Sequence, residues 1–211
     1  MINGRYIAVT AAHVIDRFRE AKAANPNIIA QLMHKEIDVE ACLISHSRKR
    51  DIATMALPAE LIDEGLRPGI LHYETWPPPL PEKGAPTMFV GFPENMRRSD
   101  GPTNMQFIAW AGLDFVEDVT SREIIMAYDP ARTVSMLNNT GLPPPTFNLS
   151  GCSGGPALIF RNRGEHLDIY ASGVITDGPN DESSGAFEEI AVIHAARLDY
   201  MRADGTIPEE D

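Results

Sequence analysis

Gly151-Cys152-Ser153-Gly154-Gly155-Pro156 is the segment of this chain best built to carry a nucleophile. A tight turn lets Ser153 project its hydroxyl, and the glycines admit a carbonyl at close range and tolerate positive φ. The backbone N–H groups of Gly151 and Ser153 can converge on one oxygen, as stabilising a tetrahedral oxyanion requires. At ordinary glycine and proline frequencies such a segment arises by chance on the order of once in a few thousand chains. A plain Gly/Ser turn between strands has the same composition, so the segment needs partners.

A serine hydroxyl is a weak nucleophile without a base. Of the six histidines, His34, His46, His72, His166 and His194 lie in unremarkable contexts and read as surface or satisfied core residues. His13 differs. In Val9-Thr10-Ala11-Ala12-His13-Val14 a strand feeds a small-residue turn that would present the imidazole at a strand end. The imidazole in turn needs a group that fixes its tautomer and stabilises its cation. Asp51 fits, because Arg50-Asp51-Ile52-Ala53-Thr54-Met55-Ala56-Leu57 sets a carboxylate at the start of an apolar strand. Taken singly, His13 and Asp51 are also what a core histidine and a turn aspartate look like.

Thr10-Ala11-Ala12-His13, Asp51-Ile52-Ala53 and Gly151-Cys152-Ser153-Gly154-Gly155-Pro156 together resemble the three signature blocks of trypsin-like serine peptidases. The order His, Asp, Ser is also that family's; α/β-hydrolases run Ser, acid, His, and subtilisins Asp, His, Ser. The resemblance spans about residues 4 to 193 and is specific in the three blocks, with Gly91-Phe92-Pro93 similar to a recurring segment of the second barrel. It implies an all-β, chymotrypsin-like fold of two packed antiparallel barrels. His13 and Asp51 would come from the first and Ser153 from the second, with the active site in the crevice between. It implies a serine endopeptidase acting on a polypeptide through a Ser153–His13–Asp51 triad, a Gly151/Ser153 oxyanion hole and an acyl-enzyme. Ala171 to Gly178 resembles the strand whose edge pairs with substrate, so Thr176, Asp177 and Gly178 become substrate-binding residues. Phe147, six before the serine, takes the position that often sets the primary pocket, and the absence of an acid there disfavours a preference for Lys or Arg. Viral relatives with a cysteine nucleophile hold it directly before the Gly-Gly pair. That position is Ser153 here, so Cys152 reads as a buried filler.

The elements that must position these groups are mostly short strands. Strands are expected at residues 5–10, 27–33, 36–45, 52–57, 68–73, 87–92, 104–115, 122–128, 157–160, 167–176 and 186–193, by β-branched content and alternation. A helix is expected over 11–24, stopped by Asn25-Pro26, and a short terminal helix over 194–201. Trp76-Pro77-Pro78-Pro79-Leu80-Pro81 is too rich in proline for a sheet interior and reads as an extended linker. The expected division is a first barrel with its linker over 1–83, a second barrel over 84–196, and a helix end with an acidic, frayed tail over 197–211. Met1 lies only twelve residues before His13. The first barrel is therefore expected to lack its N-terminal strand, unless the chain starts further upstream, where a leader would also lie. A missing strand would leave an open edge.

The formal charge of −12 disfavours a nucleic-acid partner, which needs a basic face, and docking on anionic membranes. Long-range attraction favours basic peptides instead. Two cysteines are too few for a secreted disulfide framework, so a reducing, cytoplasmic setting is expected. No run is long enough to span a bilayer. No cofactor is implied, and Cys42, His46 and His34 lack zinc-site spacing. Asn138-Asn139-Thr140 and Asn148-Leu149-Ser150 match glycosylation acceptors, relevant only to a secreted protein. Two further functions stay open: a catalytically inactive trypsin-like binding module, and an esterase using the same site.

Overall fold

The computed structural model describes residues 1–32, 35–62, 71, 73, 75–99, 105–129, 134–135, 149–178 and 191–208. Phe147, His34, His72 and the residues 138–145 lie outside this set. The chain divides into two units, Met1–Pro79 with Leu198–Asp211, and Leu80–Arg197. The first crossing falls inside the proline-rich stretch.

In the first unit, β1 (Ile7–Thr10) pairs antiparallel with β5 (Ile52–Ala56), which pairs with β4 (Leu43–Ser47). Helix α1 (Ala12–Ala24) buries Ala12 and Ile15, which cluster with Val39, Ala53 and Met55. A small hairpin joins β2 (Ala30–Leu32) to β3 (Lys35–Ile37). The strand expected over 36–45 is broken. The Asp38 carboxylate accepts from the N–H groups of Glu40 and Ala41 and nucleates a helical turn, α2 (Val39–Cys42). An N-capping side chain competes here with strand pairing and wins locally. Among the described residues this unit holds a three-stranded sheet and a hairpin, and no closed barrel.

The second unit does close. β6 (Pro86–Gly91), β9 (Trp110–Val119), β10 (Glu123–Tyr128), β14 (Ala191–Arg197), β13 (His166–Asp177) and β12 (Pro156–Arg163) form a six-stranded antiparallel ring, because β12 returns to β6 and β9 also pairs with β10. A short β11 (Val134–Ser135) adds to β9, and β7 (Arg98–Ser99) pairs with β8 (Met105–Gln106). Register shifts interrupt β10–β9, β12–β13 and β13–β14; such bulges sharpen the local bend a ring of six strands needs. Alternate residues point inward. Phe89, Trp110, Val116, Ile124, Met126, Tyr128, Ile159 and Ile193 fill the interior. The buried Thr87 hydroxyl is satisfied by the Leu158 carbonyl at 3.0 Å.

Two expectations at the end of the chain are corrected. Residues 194–197 are strand, held between β10 and β13, and only Leu198–Tyr200 makes a single 3₁₀ turn. Pairing on both sides overrides the helical preference of His194-Ala195-Ala196-Arg197. Residues 205–208 are not a frayed tail either. Ile207 is buried, its N–H donates to Ser45 Oγ at 3.2 Å, and the Gly205 carbonyl accepts from the buried Thr54 hydroxyl at 2.6 Å.

Candidate active site

His13 lies in the first turn of α1, one residue past Ala12 and three residues after β1 ends. The free N–H groups of a helix start favour an acceptor. Ala11, the N-cap, has none to offer, and the first turn holds no acid. Asp51 supplies the acceptor from 38 residues away: Oδ1 accepts the His13 backbone N–H at 2.9 Å. Its other oxygen, Oδ2, lies 2.7 Å from His13 Nδ1. A carboxylate only accepts, so Nδ1 carries the proton and Nε2 is the basic nitrogen. Asp51 reaches both atoms because it closes the β4–β5 turn with φ of +51°, a left-handed conformation that aspartate tolerates better than most residues. Ile52 and Ala53 behind it, and Ala11 and Ala12 behind the histidine, are fully buried and fix both backbones.

In the second unit Ser153 sits in the turn leading into β12. The Cys152 N–H donates to the Leu149 carbonyl and the Gly155 N–H to the Cys152 carbonyl, both at 3.0 Å. Gly154 N–H donates to Ile175 O, and Ile175 N–H to Gly155 O, each at 2.8 Å, so the turn is stapled to β13. Within the described residues no acceptor takes the Gly151 or Ser153 N–H. Gly151 holds φ of +90°. Packing requires glycine twice more: a Cβ at Gly155 would lie 1.9 Å from Val90 O, and one at Gly91 2.6 Å from Cys152 Cβ. Gly91 thus lets β6 pass against the serine turn. The Ser153 hydroxyl donates to Thr176 O at 3.3 Å. Thr176 is where the β13–β14 register slips.

Part of the stretch 171–178, expected to offer its edge to substrate, is already paired within the sheet. Ala171, Gly173 and Val174 are partners of β12, which begins at Pro156. Residues 175–178 run beyond β12; Asp177 is exposed, and its carboxylate accepts the Gly178 N–H at 2.9 Å.

Cys152 is buried, and burial pushes its thiol up to about 12, the Arg97 guanidinium acting weakly in the other direction. Cys42 and Cys152 are both free thiols. His46 lies 3.1 Å from Asp16, and His194 3.0 Å from Glu123. No group of three or more His, Cys, Asp or Glu side chains among the described residues could hold a metal ion, and no described helix is long and apolar enough to cross a membrane.

Sequence reasoning did not single out Glu94 or Arg97. The Glu94 N–H donates to Ser150 O at 2.7 Å, and Ser150 Oγ donates back to the Glu94 carboxylate at 3.3 Å. Arg97 Nη2 would stand 2.8 Å from a Cβ at Gly151. Their one sequence signal was proximity to Gly91-Phe92-Pro93. No family model matches the sequence, and no curated protein matches it.

Proposed function

We propose that the chain is a serine endopeptidase that cleaves polypeptides through Ser153, His13 and Asp51. On this reading its two units correspond to the two barrels of the trypsin-like fold. The observation that carries the reading is the double grip of Asp51 on His13, at Nδ1 and at the backbone N–H, which leaves Nε2 as the base. A structural aspartate needs only one of these bonds; a base-orienting one needs the Nδ1 bond.

In the proposed reaction His13 Nε2 takes the Ser153 proton as the hydroxyl attacks the scissile carbonyl. The Gly151 and Ser153 N–H groups receive the oxyanion, His13 protonates the leaving amine, and water releases the acyl group. Substrate backbone would pair at Thr176, Asp177 and Gly178.

A fluorophosphonate probe tests this directly. Wild type should label, and Ser153→Ala and His13→Ala should not, with turnover falling about 10⁴-fold or more. A folded wild-type protein that neither labels nor cleaves casein ends the reading. That outcome would favour an inactive binding module, for which the first unit's sheet of only three strands among the described residues speaks. Labelling with ester turnover but no peptide cleavage would make the protein an esterase.

A further inference from the structure

Arg97 carries a polar atom with nothing to bond. Among the described residues, its Nε is the one buried side-chain nitrogen or oxygen without a hydrogen-bond partner. Leaving a buried donor of a charged group unpaired costs more than a typical hydrogen bond contributes, so the arrangement calls for a physical reason. No described carboxylate forms an ion pair with this cation either. Phe107 packs on it instead, its ring centre 5.5 Å from the guanidinium carbon, and Phe107 meets Phe92 edge-on at 6.3 Å.

The guanidinium lies against Gly151, with Nη2 2.8 Å from the place a Cβ would take. The same segment grips the residue before it. Glu94 N–H donates to Ser150 O at 2.7 Å, and Arg97 N–H to Glu94 O at 3.1 Å. We propose that Arg97 is a positioning residue for the oxyanion hole: its fixed positive charge, held against Gly151, favours negative charge at the Gly151 and Ser153 N–H groups. This role rests on the serine chemistry proposed above. A charge already in place needs no reorganisation when an oxyanion forms. The field reaches the turn, because Arg97 acts on the neighbouring Cys152 thiol against the burial that pushes it up to about 12. The described carboxylates beside the turn, Glu94 and Asp177, are exposed, where water and salt screen them. Glu94 accepts from Ser150 Oγ at 3.3 Å, and Asp177 from the Gly178 N–H at 2.9 Å.

Arg97→Met keeps an apolar stem and removes the charge, whereas Arg97→Lys keeps the charge and changes the shape. With a nitrophenyl ester as substrate, Arg97→Met should lower kcat about tenfold and leave KM within about twofold, because an oxyanion exists only beyond the ground state. Arg97→Lys should stay within about threefold of wild type. The second readout needs no turnover. Base-catalysed exchange of an amide hydrogen passes through an amide anion, so a nearby cation speeds it. Gly151 N–H exchange, followed by NMR in the full chain, should slow at least about threefold in Arg97→Met and recover in Arg97→Lys. A turn merely loosened by the substitution would exchange faster instead. An unchanged kcat in Arg97→Met, equal damage by both variants, or Gly151 exchange that is unchanged or faster in Arg97→Met each overturns the proposal. A wild type without turnover sinks the serine chemistry, and Gly151 exchange then decides alone whether Arg97 charges the turn.

Discussion

Asp51→Asn separates two tasks that one carboxylate performs. The amide oxygen can still accept the His13 N–H, so the helix start stays satisfied and stability should change by less than about 1 kcal/mol. Its NH₂ group then faces Nδ1, which must become an acceptor, and the ring proton moves to Nε2, the wrong tautomer for a base. Turnover should fall about 10⁴-fold with little change in the urea midpoint. Asp51→Ala should lose both, adding about 1–2 kcal/mol of destabilisation. Equal stability losses in the two variants would mean the backbone bond to Asp51 contributes nothing. Cys152 gives a second test at this scale. Its thiol, pushed up to about 12 by burial, stays protonated at pH 8. Iodoacetamide should therefore modify the half-buried Cys42 and spare Cys152, read by mass spectrometry, and Cys152→Ala should keep fluorophosphonate labelling. The pairing of His13 with Asp51 was legible because both residues sat in recognisable blocks. That Asp51 would also hold the helix start was not legible, since it depends on a left-handed residue meeting a helix that no local pattern links to it.

Elements respond to residues that no catalytic argument would select. Gly155→Ala places a methyl carbon where Val90 O already sits, and neither backbone can yield without breaking the β6–β12 pairing. The variant should lose roughly 2–4 kcal/mol in a urea titration. Gly164→Ala, at a tip with nothing near, pays only for its positive φ and should lose about 1 kcal/mol. Helix α1 and strands β1, β5 and β10 were readable from periodicity and from Asn25-Pro26. The misreadings have two causes. Over 36–45, alternation at Ile37, Val39, Ala41 and Leu43 looked like a strand, and one capping carboxylate at Asp38 turned it into a helical turn. Over 194–197, good helix formers were captured by two strands distant in sequence. Local patterns lose where a side chain caps the backbone or where partners lie far along the chain.

The closed ring of the second unit depends on pairings between residues far apart, β12 with β6 and β14 with β10, so short strands in the sequence implied a barrel without fixing its order. Closing it buries the Tyr128 hydroxyl and the Cys152 thiol, and burial raises both. The unfolded thiol ionises near 9 while the folded one holds its proton to about 12. Above pH 9 the unfolded state therefore binds fewer protons, and stability should fall as pH rises, by up to about 1.4 kcal/mol per unit for the thiol. Urea midpoints at pH 8 and 10 check this, and Cys152→Ala should flatten the slope; an unchanged slope would sink the assignment. A different consequence follows from residues 198–208 packing with the first unit, where Trp76 Nε1 donates to Met201 O and Thr54 to Gly205 O. During synthesis the ribosome releases the β-strands of the first unit early, yet their last packing partners emerge after the whole second unit. The barrel, continuous in the chain, is free to finish first, and the half carrying His13 has to wait for it. A released chain truncated after residue 197 should hold a protease-resistant barrel and a first unit that trypsin still degrades.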